Sequence, residues 1–246
     1  MADQVDRPKK PDQSRPDFSL ELAAINDRPD LFSHYDRIVI GVDEAGRGPW
    51  AGPVTAGAAW ITPDQWQDLP SGLNDSKKLN AARRRDLFLA LQDNPQVKTA
   101  TASSSVEVID QDGILNATFK AMDDAVMVLL QQHDPDVDVT VLVDGNLAPP
   151  FPRLRQVLQN PPVIIPVIKG DGRSLSIAAA SIMAKETRDQ LMDDLDQQYP
   201  GYGWADNKGY GTKSHQAGLA KQGVTPHHRR SFKPIERLLA ATPTTR

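Results

Sequence analysis

The chain has 246 residues, 39% of them hydrophobic, with 20 prolines, 16 glycines and no cysteine. That length supports one large or two small cores, while the composition excludes a fibrous or low-complexity protein and the missing thiols exclude disulfides and thiolate metal sites. The formal charge of −4 is unevenly spread: eight basic residues against two acidic ones give the segment from Gly201 onward +6, so the first 200 residues carry −10.

Met1 to Leu20 is polar and lacks the apolar core of a secretory signal. No run approaches the roughly 20 apolar residues of a membrane span. These features predict a soluble, cytoplasmic protein. Residues 1–35 combine low hydrophobicity, prolines and mixed charge, and read as a disordered arm with a short helix at 20–25. The apolar run Ile38–Val42 predicts a strand that ends on Asp43 and Glu44. It is followed by the turn Gly46-Arg47-Gly48-Pro49 and a second strand over 53–61, close enough to form an antiparallel pair.

A polar loop, Asn74-Asp75-Ser76-Lys77-Lys78-Leu79, leads to Asn80, a helix cap for an amphipathic helix over 81–92. A third strand is expected at 97–103. Leu115, Phe119, Met122, Val126, Leu129 and Leu130 recur at helical spacing within 114–132 and mark a buried face. Alternation over 137–143 predicts a strand that runs into Asp144-Gly145-Asn146. After a proline-rich loop, 163–168 reads as another buried strand, ending at Lys169-Gly170-Asp171-Gly172. A long helix over 174–198 opens on small residues that permit close packing, and short helices and loops follow Pro200. The order of elements gives an α/β layer fold whose sheet is mixed.

Asp43 with Glu44, Asp144 and Asp171 all sit where an apolar strand meets a glycine turn. Such ends gather at one edge of an α/β sheet, where ligands bind. Ordinary turn chemistry explains any one of these acids; their conjunction points further. Four carboxylates without histidine or cysteine form an oxygen-only set suited to Mg²⁺ or Mn²⁺ rather than zinc. On a phosphodiester such ions activate a water and stabilise the leaving oxygen. Adjacent strand residues point to opposite faces, so Asp43 and Glu44 share a site only if the strand ends or bulges there. A dinucleotide fingerprint at Gly46–Gly52 is disfavoured, because Pro49 and Pro53 interrupt where a helix N-terminus is required. Lys169–Gly172 lacks the spacing of a phosphate-binding P-loop.

The stretches Gly41–Pro49, Asn74–Leu79, Val143–Asn146 and Lys169–Asp171 closely resemble the ribonuclease HII family. So do Ile177–Ile182 with Ala184-Lys185, Lys208–Thr212 and His227–Phe232, in order, over roughly residues 36–237. Trp50 departs from the smaller aliphatic common at that position, and the N-terminal arm is too short for the extra domain of a ribonuclease HIII. The resemblance implies a ribonuclease H-like mixed sheet flanked by helices, with a small helical C-terminal region. It divides the chain into the arm, a catalytic domain over 36–200 and a basic C-terminal region over 201–246 that contacts substrate.

The implied activity is endonucleolytic cleavage of the RNA strand of RNA–DNA hybrids and nicking 5′ of single ribonucleotides embedded in duplex DNA. Products carry 5′-phosphate and 3′-hydroxyl ends, a chemistry that serves ribonucleotide excision repair and DNA replication. Asp43, Glu44, Asp144 and Asp171 map to the catalytic acids that hold Mn²⁺ or Mg²⁺. Gly46, Arg47 and Gly48 map to the loop that senses the 2′-hydroxyl, and Tyr210 to the tyrosine that stacks at the RNA–DNA junction. Lys77 and Lys78 are expected to contact phosphates, the alternative being solvated loop lysines. His227 to Arg230 form a phosphate patch or pack the tail, with backbone contacts favoured, whereas Lys185, Arg188 and His215 read as structural. The protein is expected to act as a monomer, away from membranes. A non-catalytic hybrid-binding protein on the same fold is the rival reading.

Overall fold

The computed structural model describes residues 15–26, 37–62, 66, 69–131 and 136–241. In chain order the elements are α1 (Ser19–Asn26), β1 (Arg37–Ala45), β2 (Val54–Ile61), α2 (Ala81–Asp93), β3 (Val97–Ser104), α3 (Val106–Asp112), α4 (Ile114–Leu130) and β4 (Asp138–Asp144). They continue with α5 (Pro152–Val157), β5 (Val163–Val167), a 3-10 turn at Gly170–Gly172, α6 (Leu175–Gln198), α7 (Trp204–Asn207), α8 (Lys213–Gln222) and α9 (Lys233–Ala241). The strands form one mixed sheet in the order β3-β2-β1-β4-β5. β1 to β3 are antiparallel, as the short connection between β1 and β2 predicts, whereas β4 and β5 run parallel to β1. Central β1 therefore has one partner close in sequence and one distant.

Side-chain alternation sorts β1 between two layers. Ile38, Ile40 and Val42 face the apolar side of α4, where Met122, Ala125, Val126 and Leu129 are buried. The opposite face meets α6, whose Ala178, Ala179, Ala180 and Ile182 pack with Leu87, Phe88 and Leu91 of α2. The small residues are required there. A Cβ at Gly41 would lie 2.2 Å from the Ser176 carbonyl carbon, and one at Gly57 2.2 Å from the Ala180 oxygen. Helix α6 thus rests on bare sheet backbone, close enough to bring its own side chains to the strand ends.

Two helices were not expected. α3 is a single short element capped by Ser105, which accepts from Val108 N. α5 lies in the proline-rich loop, where Pro152 occupies the first turn, a position that needs no N–H. The short helix expected at 20–25 is α1, and over Asp17–Asn26 the arm is a docked segment. Ala24 and Ile25 pack with Val39, Leu142, Val167 and Ile177, and the Arg37 guanidinium donates to the Ala24 and Ile25 carbonyls at the end of α1. The rest of the 1–35 expectation, residues 1–14 and 27–35, lies outside the described residues. Among the described residues no helix is long and apolar enough to cross a membrane.

Candidate metal centre and nucleic-acid face

Asp43, Asp144 and Asp171 each offer a carboxylate oxygen, and these oxygens all lie within 4.8 Å of one another. Each acid arrives by a different route. Asp43 is on the α6 side of β1, where Ser181 hydrogen-bonds its carboxylate and Glu44 N donates to it at 2.7 Å. Asp144 ends β4, and its Oδ1 accepts from Gly170 N at 2.7 Å. Asp171 sits in the 3-10 turn just before α6, preceded by Lys169 in a left-handed conformation (φ 55°).

Glu44 is not in this group of three. Pairing of β1 with β2 continues unbroken through Asp43↔Gly57, Glu44↔Ala56 and Ala45↔Thr55, so no bulge turns Glu44 onto the Asp43 face. Its carboxylate instead approaches Arg47 Nη1 at 3.4 Å. It remains near enough to Asp43 and Asp144 for the charges to repel.

Burial and this crowding perturb Asp43, Asp171 and Glu44 in one direction. Asp43 is held well above the usual carboxylate range by burial first, then by the Glu44 and Asp144 charges. Asp171 is pushed up to about 6 by burial, Asp144 and Asp75, against the pull of Lys77. Burial also raises Glu44, opposed by Arg47. Repelling acids gathered in one pocket could hold a cation: they offer hard oxygen donors, no nitrogen or sulfur, and negative charge to be neutralised. The donor set fits a divalent ion.

The lysines divide. Lys77 faces the acids: burial lowers its pKa, but Asp43, Asp75, Asp171 and Asp144 outweigh this and raise it. Lys78 is more exposed, 3.9 Å from Asp75 and beside Gly172. Asp75 itself escaped the sequence reading, although it lies in the same motif and hydrogen-bonds Asp171. Ser181 was likewise within a quoted motif but unassigned; a serine among alanines on a packed helix was the available signal.

The Gly46–Gly48 loop is fixed from behind. Arg229 is fully buried. It donates to the carbonyls of Gly46 (2.6 Å), Arg47 (2.9 Å), Gly52 (2.9 Å) and Pro53 (3.1 Å). Arg188 adds bonds to the Pro53, Ala51 and Lys208 carbonyls. Gly46 is required: its φ is +95° and a Cβ would fall 1.9 Å from Arg188 Nε. These clamps leave Arg47 and Gly48 exposed. Tyr210 is 49% exposed and flanks Gly48, where a Cβ would lie 3.4 Å from the tyrosine ring.

Behind Tyr210 runs a chain of neutral rings. Thr225 N donates to His228 Nδ1 at 3.0 Å, which leaves the His228 proton on Nε2. That N–H meets His215 Nε2 at 3.0 Å, an atom that also accepts from Trp204 Nε1 at 3.1 Å. His215 must then donate from Nδ1 to the Tyr210 carbonyl at 3.0 Å. Burial pushes His228 down to about 3. The expected backbone contacts from His228 and Arg229 are therefore corrected: both are fully buried and hold the protein together. Arg188 and His215 are structural, as expected, and Lys185 pairs with Asp189 at 2.7 Å.

A model of the ribonuclease HII family matches residues 40–235, a span that contains every acid described above. The chain belongs to the ribonuclease HII family. A ribonuclease HII from Ruegeria sp. (strain TM1040) is 51% identical over 224 residues, covering 91% of this chain and 87% of that one. Among solved structures, the ribonuclease H2 of Pyrococcus horikoshii OT3 has a TM-score of 0.64 at 27% identity and covers 82% of this chain and 96% of that one. Bst ribonuclease HIII in complex with Mn²⁺ has a TM-score of 0.65 at 20% identity, covering 83% and 70%, and shows the shared fold. This ribonuclease HII family member is thus a ribonuclease H endonuclease on the mixed sheet that its sequence predicts.

Proposed function

We propose that this enzyme nicks duplex DNA 5′ of single embedded ribonucleotides and cleaves the RNA strand of RNA–DNA hybrids, leaving 5′-phosphate and 3′-hydroxyl ends. The convergence of Asp43, Asp144 and Asp171 from distant parts of the chain carries the reading. These three hold Mn²⁺ or Mg²⁺, and Glu44 approaches them from the end of β1. Bound there, the ion supplies Lewis-acid stabilisation at phosphorus and a more acidic attacking water.

The chain's own groups select the substrate. The exposed backbone at Gly46–Gly48 approaches the ribose 2′-hydroxyl, the feature that separates RNA from DNA. Arg47, Lys77 and Lys78 meet phosphate charge, and Tyr210 stacks on the sugar beyond the ribonucleotide. The basic region over 201–246 adds contacts but does not stand apart from the catalytic domain over 36–200. Tyr202, Trp204, Leu219 and Ile235 share a core with Met192 of α6 and with Ala51. The enzyme works as a cytoplasmic monomer.

The test is a labelled duplex carrying one ribonucleotide, incubated with Mn²⁺, with Mg²⁺ and with EDTA. Nicking on the 5′ side with either ion and none with EDTA is expected. Tight binding without nicking would favour the non-catalytic hybrid binder.

A further inference from the structure

Glu21 precedes the matched span 40–235, yet it is one of the most enclosed charges in the protein. Its Oε1 accepts from Ser174 Oγ at 2.6 Å, Ser176 Oγ at 2.7 Å and Ser176 N at 2.9 Å. Its Oε2 is buried with no hydrogen-bond partner. Burial raises its pKa, against the pull of these bonds. A half-satisfied buried carboxylate is a poor stabilising element; an apolar side chain of like size would fill the space at lower cost. What Glu21 supplies is geometry.

The geometry leads to Asp171. Ser174 caps α6, accepting from Ile177 N at 3.1 Å, and its own N–H donates to the Gly170 carbonyl at 2.8 Å, closing the turn that carries Asp171. The backbone of Asp17 brackets the same residues, its N–H donating to Arg173 O at 3.2 Å and its carbonyl accepting from Leu175 N at 3.1 Å. The turn is therefore held on one side by Asp144 and on the other by the N-terminal segment.

We propose that Glu21 is a positioning residue for Asp171: through Ser174 and Ser176 its carboxylate sets where the Asp171 carboxylate stands relative to Asp43 and Asp144. The inference rests on the reading of Asp171 as a metal ligand. Residues that orient a ligand without touching the ion typically affect metal affinity and turnover 10- to 100-fold, roughly, when lost.

The experiment uses the full chain in five forms: wild type, Glu21→Leu, Glu21→Gln, Ile25→Ala and Asp171→Asn. Ile25→Ala loosens the same helix through its apolar face without touching Ser174 or Ser176. Mn²⁺ binding is measured by titration calorimetry, and kcat and KM on the single-ribonucleotide duplex. Glu21→Leu should weaken Mn²⁺ binding and lower kcat about tenfold with KM unchanged, while Glu21→Gln, which keeps an acceptor oxygen, recovers most of both. Ile25→Ala should lower the thermal midpoint and leave Mn²⁺ affinity as it is. Wild-type Mn²⁺ affinity in Glu21→Leu, equal losses in Ile25→Ala, or no recovery in Glu21→Gln would each overturn the proposal. If Glu21→Leu does not fold, Ser176→Ala replaces it; a several-fold weaker affinity supports the proposal and an unchanged one overturns it. Asp171→Asn separates the two layers: were it to bind Mn²⁺ and cleave normally, the ligand assignment would fail rather than the Glu21 contact alone.

Discussion

Asp144 accepts a 2.7 Å hydrogen bond from the backbone N–H of Gly170, so the acid that ends β4 is fastened to the turn presenting Asp171. On the proposed reading, one side chain thus offers a ligand oxygen and also fixes the position of another ligand. The two roles separate by substitution. Asn keeps an acceptor for Gly170 but loses the charge; Ala loses both. Asp144→Asn and Asp144→Ala should each lower cleavage by at least about 10²–10³-fold, the scale of losing one preorganised electrostatic contact. Only Asp144→Ala should also lower the urea midpoint. Equal midpoints for the two variants would show that the Gly170 bond does not hold the turn.

Asp43→Asn should uncouple activity from stability. Cleavage is lost with a ligand charge, while substrate affinity persists because phosphate contacts carry it. The metal-free fold should meanwhile gain, since the substitution relieves the repulsion that burial, Glu44 and Asp144 impose. A melt in EDTA reads this as a rise of about 2–4 °C for each kcal/mol relieved. A midpoint at or below the wild type would remove the electrostatic account of this pocket.

Metal affinity should be lost on acidification. Asp171 titrates at about 6 in the fold against an ordinary value of 3.8, and Asp43 is shifted in the same direction. A raised carboxylate contributes stability that is fully present below its unfolded pKa and lost as pH rises through its folded one. Protonation therefore favours the metal-free fold, and the ion must displace protons from these acids. Calorimetric titrations should show Mn²⁺ binding weakening as pH falls through about 6. A flat affinity across that range would contradict the shifted acids.

His228 acts in the opposite sense. Its folded pKa, about 3, lies below the ordinary 6.5, so the neutral ring contributes stability present above the unfolded value and lost as pH falls below it. His228→Gln removes this contribution. The excess stability of the wild type over the variant should shrink between about pH 7.5 and about pH 5, the range in which an unfolded histidine takes up its proton. Urea midpoints at the two pH values give the answer, and a constant difference would show that His228 does not titrate on unfolding.

Arg229→Lys keeps the charge and loses the fork. Carbonyls of the Gly46–Pro53 loop would then be buried without donors, each costing about 1–3 kcal/mol. We expect a lower thermal midpoint and reduced preference for a ribonucleotide over an all-DNA site, because the loop proposed to face the sugar is no longer held. An unchanged preference ratio would confine Arg229 to stability.

The acids were legible because each stands where an apolar strand meets a glycine turn, a local pattern that needs no knowledge of the fold. The mixed sheet was legible for a similar reason: the short connection after Ala45 allows an antiparallel return. What stayed hidden depended on distant partners. Nothing local distinguishes buried Arg229 from its exposed neighbour Arg230, since the carbonyls that satisfy it lie near residue 50 in the chain. Glu21 looked like one charge among many in a polar arm, because its serines come more than 150 residues later. α5 was masked by the prolines around it, one of which starts the helix. The separation of Glu44 from the other acids followed from an unbroken β1–β2 register, a property of pairing rather than of composition.

The central position of β1 governs when the acidic pocket is complete. Ile40 pairs with Val141 and Gly41 carries α6, so the first acid waits for partners synthesised long after it. A nascent chain that has left the ribosome only as far as β3 holds Asp43 and Glu44 without Asp144 or Asp171. The three-carboxylate pocket closes only once β4 and the turn before α6 are in place.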